Sequence, residues 1–318
     1  MYNAVERARR RHSDHSRRRR SARFGHRYRH SRQWPPRWVG CQRILLLAIL
    51  FWGATQTRAQ DNCSLLKEPN RIKACKFYNA SDSLPQGSRG SQQTLDSALY
   101  YWPEYAEAWR EKSVPYLKRG DFLTWRKYMD KAVQLRPEKF LGVRGWCRFK
   151  FLRDYAGALD DLKKFNTLVP FDPGQSGDGN YSLYVVMGLC ERELGDFTAA
   201  MHYFSMGIDS AIAQKGFEWI GLYDYLHRAV TRMRVKDYAG ALTDLDLQVK
   251  KYPKFAETYY YRGKVLLALG RQEEAKIALE KSKTLFVSGG YHFTDPYCEM
   301  LDEVYLEDIE EALGCVRG

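Results

Sequence analysis

Few residues in this sequence have the types and spacing that catalysis or metal binding requires. The heptapeptide HFTDPYC is the best candidate, because it could bring His292, Asp295 and Cys298 together. A proline-containing turn ahead of a helix explains the same residues, with Asp295 as the helix N-cap, and we expect this structural role. Only three histidines occur beyond residue 43, and none has metal-ligand spacing to another His or Cys: His202, His227 and His292.

Other motifs that carry chemistry are missing from the sequence. The stretch DPGQSGDGN suggests a calcium loop only faintly, because it lacks the alternating carboxylates and final glutamate of an EF-hand. We interpret it as a surface loop. The sequence has no Gly-x-Ser-x-Gly, P-loop or dinucleotide fingerprint. It therefore predicts no catalytic residue, no metal site and no cofactor.

The positive charge of the chain is concentrated at its N-terminus. Residues 1–43 form a basic arm with 14 arginines, no lysine and two acidic residues, whereas residues 44–318 contain 37 basic and 36 acidic residues. A folded nucleic-acid-binding surface would need a basic stripe within this nearly neutral body, and the body shows none. We therefore expect no nucleic-acid partner.

An apolar run follows the basic arm. Residues 44–54, ILLLAILFWGA, are too few to span a bilayer but fit the core of a signal peptide, and Thr57-Arg58-Ala59 is an acceptable cleavage site. We expect residues 44–59 to direct export to the periplasm or outside the cell, leaving no membrane span in the mature chain. Two other interpretations stay open, a transit peptide and a twin-arginine signal around SRRRRSARF.

Cleavage after Ala59 would leave six cysteines, an even number that permits disulfides in an oxidising compartment. Cys63 and Cys75 are close in sequence and are the pair that we favour. Cys298 and Cys315 flank a helical pattern, and a helix would hold them roughly 25 Å apart, beyond disulfide reach. For the four cysteines other than the favoured pair, disulfides and buried free thiols are equally open.

Two nearly identical decapeptides, RDYAGALDDL and KDYAGALTDL, lie 83 residues apart. Each precedes a proline, Pro170 or Pro253, by the same spacing, and similar stretches recur with a period of about 34 residues. Within each stretch, apolar residues at three- and four-residue spacing form two blocks separated by a Gly-Asp or similar turn. This pattern predicts a repeated helix hairpin.

The repeat resembles the tetratricopeptide repeat family, whose pattern is W-x2-L-G-x2-Y, then A-x3-F, then P. Five such units fill residues 106–289, beginning at residues 106, 139, 181, 222 and 256. The matches in the first of these units are Trp109, Tyr116, Gly120, Phe122, Ala132, Leu135 and Pro137. Those in the last unit are Tyr259, Gly263, Leu266, Gly270, Ala275 and Leu279.

The resemblance implies an all-α fold, a superhelical array of antiparallel helix hairpins known as an α-solenoid. Residues 60–105 are an N-terminal segment with a degenerate unit, whose first half, RIKACKFYNASDSLPQGSRG, is loop-like. Pro115 should kink the helix that contains it. Residues 290–318 break the repeat, and the acidic, one-sided helical pattern over 297–313 predicts a capping helix.

The resemblance also implies which residues line the concave face. These are Arg110, Val114, Lys118, Phe140, Val143, Lys150, Phe151, Val185, Arg192, Tyr223, Leu226, Arg234, Tyr260, Lys264 and Leu267. Six of them are basic, against three acids at equivalent positions, which favours an extended peptide with some negative charge. Phe140, Tyr223 and Tyr260 are the expected anchors. Alternatively, an inward-folded N-terminal segment such as residues 60–75 covers these aromatic side chains.

The function that we expect is a non-catalytic module or scaffold for protein–protein interaction, because repeat arrays usually bind rather than catalyse. The partner is a protein or peptide. The alternatives are a repeat array attached to an enzyme or to a secretion assembly, or one that hides a hydrolase site.

We expect the mature protein to begin at Gln60, since the signal core should be removed by cleavage after Ala59. The arm is unusually long for a signal peptide. We interpret it as sequence upstream of the true translation start, which we place near Val39. N-terminal sequencing and peptide mapping of protein from its native source test both expectations. A peptide from residues 1–35 would contradict the interpretation of the arm.

Overall fold

The computed structural model describes residues 61–169, 172–295 and 297–316. The basic arm at 1–43, the signal core at 44–59 and the cleavage site therefore lie outside the described residues.

The described residues form thirteen α-helices. The first twelve pair as six consecutive hairpins, and the fold class predicted from the sequence is confirmed. The pairs are α1 (Pro69–Ser81) with α2 (Arg89–Tyr101), α3 (Ala106–Lys118) with α4 (Phe122–Leu135), α5 (Pro137–Cys147) with α6 (Tyr155–Leu168), α7 (Leu183–Glu193) with α8 (Phe197–Lys215), α9 (Asp224–Arg234) with α10 (Tyr238–Lys251), and α11 (Ala256–Ala268) with α12 (Gln272–Val287). The single helix α13 (Leu306–Val316) packs against α12.

Three short elements complete the described structure. Residues Cys63–Leu65 and Phe217–Trp219 form 3-10 turns, and a π-helical turn at Arg148–Leu152 extends α5. Extended pairing within the described ranges is limited to two isolated bridges, Gln175 with Ser182 and Phe255 with Tyr291.

The repeated hexapeptide DYAGAL is the start of the second helix in two hairpins. Asp154 and Asp237 are the N-caps of α6 and α10, and each side chain accepts a hydrogen bond from a backbone N–H in the first turn. Asp121 and Asp196 cap α4 and α8 in the same way. The acidic residue that ends each turn is thus the signal that starts the next helix.

The residue before each of these caps adopts a left-handed conformation. Gly120 and Gly195 do so at φ 77° and 92°, which suits glycine because it has no Cβ. In the two DYAGAL copies the same position is Arg153 or Lys236, at φ 53° and 63°. The hairpin turn therefore imposes one geometry even where the residue disfavours it.

Small residues allow the paired helices to approach closely, as the repeat pattern predicts. A Cβ on Gly188 of α7 would lie 2.9 Å from the Phe204 ring of α8. A Cβ on Gly263 of α11 would lie 2.6 Å from Leu279 of α12. Large side chains of the second helices, including the fully buried Phe204, occupy the space that these glycines leave.

The N-terminal segment differs from the sequence prediction. Most of the stretch interpreted as loop-like is helix α1, and with α2 it forms a complete hairpin. A disulfide joins Cys63 to Cys75 and so fastens the 3-10 turn to this helix. The Asn79 amide donates to the carbonyl of Asp61, and the Tyr105 hydroxyl donates to the Asp61 carboxylate. These bonds hold the start of the described chain on the first hairpin.

The C-terminal segment also differs from the prediction. The capping helix begins only at Leu306, so residues 297–305 are not helical, and Asp295 does not cap a helix. Instead, Asp295 accepts hydrogen bonds from the backbone N–H groups of Tyr297 and Cys298 within an irregular stretch. In a separate element, α3 continues through Pro115 to its end at Lys118.

We expect Gly188→Trp to lower the free energy of unfolding by roughly 3 kcal/mol or more, because the new side chain would overlap the ring of Phe204. Gly314→Ala is the control, since nothing lies within 4 Å of a Cβ there. Its stability should stay the same or rise slightly. Thermal melts followed by circular dichroism compare the two variants. An unchanged melting temperature for the tryptophan variant would contradict this packing.

Candidate functional site

The candidate site is the face formed by the first helices of the hairpins. Helices α5, α7, α9 and α11 contact one another in succession along this concave face. We name the stretch 290–305 between α12 and α13 the inner segment. Its described residues, 290–295 and 297–305, contact this face. Its contacts involve residues that the sequence assigned to the peptide-binding surface.

The inner segment enters the site by pairing its backbone with the start of α11. Tyr291 N–H donates to the Lys254 carbonyl at 2.9 Å, and Ala256 N–H donates to the Tyr291 carbonyl at 2.8 Å. These two bonds form a parallel bridge between Phe255 and Tyr291. The segment therefore begins as a short piece of added strand, a mode by which proteins also hold extended peptides.

Phe293 is the apolar anchor of the inner segment. Its side chain is 2% exposed and stacks on Tyr223, the residue before α9, with ring centroids 4.4 Å apart. The edge of the Phe255 ring completes this aromatic slot. The Phe293 N–H donates to the buried carboxylate of Glu257 at 2.7 Å. One residue thus supplies both an apolar and a directional contact.

Lys150 holds the first acidic side chain of the segment. Its ammonium lies 2.6 Å from Asp295 and 2.9 Å from Asp178, and the lysine is almost completely buried. Burial lowers the pKa of Lys150, but its bonds to the two aspartates raise it more, so the net shift is upward and the lysine stays charged. Asp178 belongs to the stretch interpreted as a plain surface loop, so this loop contributes to the site.

Arg192 and His227 hold the second acidic side chain. Asp302 lies 2.7 Å from the Arg192 guanidinium and 2.6 Å from His227 Nδ1, and all three side chains are closed off from water. Burial would raise the pKa of Asp302, but Arg192 and His227 hold it well below its usual range. Burial lowers the pKa of His227, despite the neighbouring Asp302. The neutral imidazole then donates its Nδ1–H to the carboxylate.

The structure brings together some of the residues expected on the concave face. Lys150, Arg192 and Tyr223 contact the inner segment as described, and the Phe151 ring meets that of Tyr297. Leu226 is buried in the main core, and Tyr260 packs beside Val304 and α13.

Other expected residues have their recorded partners outside the segment. Arg110 forms an ion pair with Glu111, and Arg234 forms one with Glu193. The Lys118 ammonium donates a hydrogen bond to Gln86, and the Lys264 ammonium lies over the ring of Tyr260. Val143 packs partly buried against the main core.

Two expectations about this face can be compared with the structure. The expected anchors Phe140 and Tyr223 are only 4% and 7% exposed, so neither side chain is freely accessible. The segment that covers Tyr223 is C-terminal, whereas the described residues 61–75 pack on the first hairpin. Sequence reasoning placed Glu257 among the three acids of this face, but it missed Phe293 and Asp302 as site residues. Their signal was the alternation of aromatic and acidic residues in HFTDPYCEMLDEVY, which complements the basic residues of the face.

Within the described part of the chain, no group of three or more His, Cys, Asp or Glu side chains is arranged to hold a metal ion. The cysteines there that are not in the disulfide are Cys147, Cys190, Cys298 and Cys315. Burial raises the pKa of Cys147 to about 12 and raises that of Cys190 as well. These two buried thiols are therefore protonated near neutral pH, which makes them poor nucleophiles.

The geometry defines a helical-repeat solenoid with an occupied concave face, and comparisons with known proteins agree on the fold. Residues 256–285, which cover α11 and most of α12, match the family model described as Tetratricopeptide repeat. No curated protein matches the sequence.

Three solved structures share the fold at low sequence identity. The APC/C hetero-tetramer Cut9–Hcn1 aligns at 13% identity and a TM-score of 0.53 over 81% of this chain and 46% of that one, so the chain spans about half of its length. PilW, a widely conserved type IV pilus biogenesis factor, aligns at 17% identity and a TM-score of 0.53, over 80% of this chain and 100% of that one. PilF of Pseudomonas aeruginosa aligns at 15% identity and a TM-score of 0.51, over 69% of this chain and 95% of that one.

None of the helices that the structure describes is long and apolar enough to cross a bilayer.

We expect Glu257→Gln to change how stability depends on pH. Burial raises the pKa of Glu257 from 4.5 to about 7, although the Phe293 N–H lowers it in part. The folded protein therefore keeps a proton that the unfolded chain releases, and the free energy of unfolding falls as pH rises from about 4.5 to 7. At pH 8 this cost is about 3 kcal/mol.

Glutamine cannot ionise, so the melting temperature of the variant relative to that of the wild type should rise between pH 5 and pH 8. Glu307→Gln, at an exposed position of α13, is the control for lost surface charge. Parallel melting curves for both variants would overturn the assignment of this pH dependence to Glu257.

Proposed function

We propose that this protein is a non-catalytic interaction module that holds an extended peptide or protein segment on its concave face. One observation carries the proposal: the face already holds an extended segment, the inner segment, through backbone pairing, an aromatic slot and two cationic positions. A surface that binds one such segment of its own chain has the chemistry to bind another.

The recognition elements are spaced along three successive first helices. Lys150 follows α5, Arg192 lies in the last turn of α7, and Tyr223 precedes α9. Rigid helices fix these positions, so the face selects for the spacing of an aromatic ring and two carboxylates rather than for net charge alone. An extended ligand is required because a compact one would not reach all three helices.

The comparisons support a scaffold role in general terms. Cut9–Hcn1 is described as an APC/C hetero-tetramer, and PilW as a type IV pilus biogenesis factor. We take from them the role of a module within an assembly and not the identity of a partner.

We further propose that the protein is exported. The disulfide between Cys63 and Cys75 supports this location, because such bonds form and persist in oxidising compartments.

Affinity purification of the tagged full-length chain from its native source, with mass spectrometry, tests the binding function. The double variant Lys150→Gln/Phe151→Ala alters the face where it meets Asp295 and Tyr297, and should reduce partner recovery at least five-fold. The control is Leu123→Ala/Ile277→Ala on the second helices α4 and α12, where these side chains are 85% and 67% exposed.

Circular dichroism establishes that both double variants are folded before recovery is compared. Equal recovery by the concave-face variant, or loss of the partner only with the control, would rule out the concave face as the binding surface.

A further inference from the structure

We propose that the inner segment is an internal ligand which a partner replaces, and that this partner is an extended peptide of matching chemistry. That peptide carries an aromatic residue, a carboxylate two residues later and a second carboxylate nine residues after the aromatic residue, as Phe293, Asp295 and Asp302 do. The inference rests on the proposed function, and names the class of partner for the same face.

The inner segment has the structure of a bound peptide rather than of a core element. Its described residues, 290–295 and 297–305, form no helix, and its anchored side chains alternate with exposed ones. Phe293 and Val304 are buried, whereas Thr294 and Tyr297 are exposed. Contact through a few separated side chains is how grooves hold extended ligands.

The chain on either side of the segment allows it to leave the face. Gly289, at φ 78°, separates the segment from the end of α12, and α13, whose buried residues pack with Val304, is fixed on α12. The six hairpins make their own helix–helix contacts. The segment can therefore move outward as a loop that is fixed at both ends, while the hairpins stay paired.

The charges of the face determine what may take the place of the segment. The Arg192 side chain is completely buried and Lys150 almost so. If the segment leaves without a substitute, each cation loses a close carboxylate, and breaking a buried ion pair on one side is strongly unfavourable. A replacing peptide must therefore bring a carboxylate to each position, and an apolar or basic peptide would not compete.

The inner segment also leaves polar atoms without partners, so a better ligand is possible. Among the described residues, Arg192 Nη2, His227 Nε2 and Glu257 Oε2 are buried and have no hydrogen-bond partner. Each is close to an atom that the segment already contacts. A partner that pairs one of these atoms gains a hydrogen bond that the internal ligand does not make, which offsets the advantage of a tethered competitor.

The test uses a fluorescein-labelled synthetic peptide with the sequence of residues 290–305 and the change Cys298→Ser, followed by fluorescence polarisation. The wild-type full-length chain should bind it weakly, because its own segment competes at high effective concentration. The full-length variants Phe293→Ala and Asp302→Asn weaken the internal ligand, and should bind the peptide at least ten-fold more tightly. Thr294→Ala, an exposed neighbour in the same segment, is the control and should behave as the wild type does.

Changes in the peptide test the proposed chemistry. Peptides with the change corresponding to Phe293→Ala, Asp295→Asn or Asp302→Asn should each lose at least ten-fold in affinity for the Phe293→Ala chain. Binding that ignores these changes, or equal binding by Phe293→Ala and Thr294→Ala, would refute the inference.

Hydrogen exchange on the unmodified chain gives a second measurement that does not depend on how well a variant folds. Excess peptide should speed exchange of the backbone amides of residues 290–305 and leave α11 and α12 protected. Unchanged exchange of the segment at saturating peptide would contradict replacement. If replacement fails while native partner recovery still depends on Lys150 and Phe151, the proposed function stands without this inference. If recovery is independent of both residues, the proposed function fails as well.

Discussion

The contact between Arg192 and Asp302, closed off from water on both sides, determines how the rest of the concave face is arranged. A guanidinium within a helical array needs a carboxylate, and within α7 Arg192 pairs with Glu193, the next residue along. Asp302, 110 residues further along the chain, supplies the second carboxylate and also accepts from His227. With Asp302 held in place, the residues that precede it contact the start of α11, the start of α9 and the turn after α5. The aromatic slot and the Lys150 contact then follow from the length of the segment.

The hairpins could be predicted because their signals are local. A capping aspartate, a left-handed residue before it and apolar residues at helical spacing all lie within one unit, and the DYAGAL copies show these signals twice. Helix α1 was missed because its own buried residues are few, namely Ala74, Cys75 and Ser81. Its position depends on α2 and the disulfide, neither of which appears as a periodic pattern.

The inner segment could not be predicted by the same reasoning. An irregular stretch has no period, and its contacts join residues as far apart as Lys150 and Asp295, 145 positions along the chain. The sequence identified the chemistry of the face, a mixture of aromatic and basic residues that suits an acidic peptide. It did not reveal that the chain contains such a peptide, because the acidic residues from 297 onward resembled the outer face of a capping helix. A complementary pair of segments is visible only when both are considered together.

A repeat array whose hairpins touch only their neighbours has stability that is close to a sum of local terms, and its ends can unfold alone. The inner segment changes this for part of the molecule, because it connects the hairpins of α5, α7, α9 and α11 directly. Those four hairpins should open as one cooperative unit, whereas α1–α4, which precede the first of these contacts, can fray separately. The same segment that occupies the concave face thus divides a uniform array into two regions of different cooperativity.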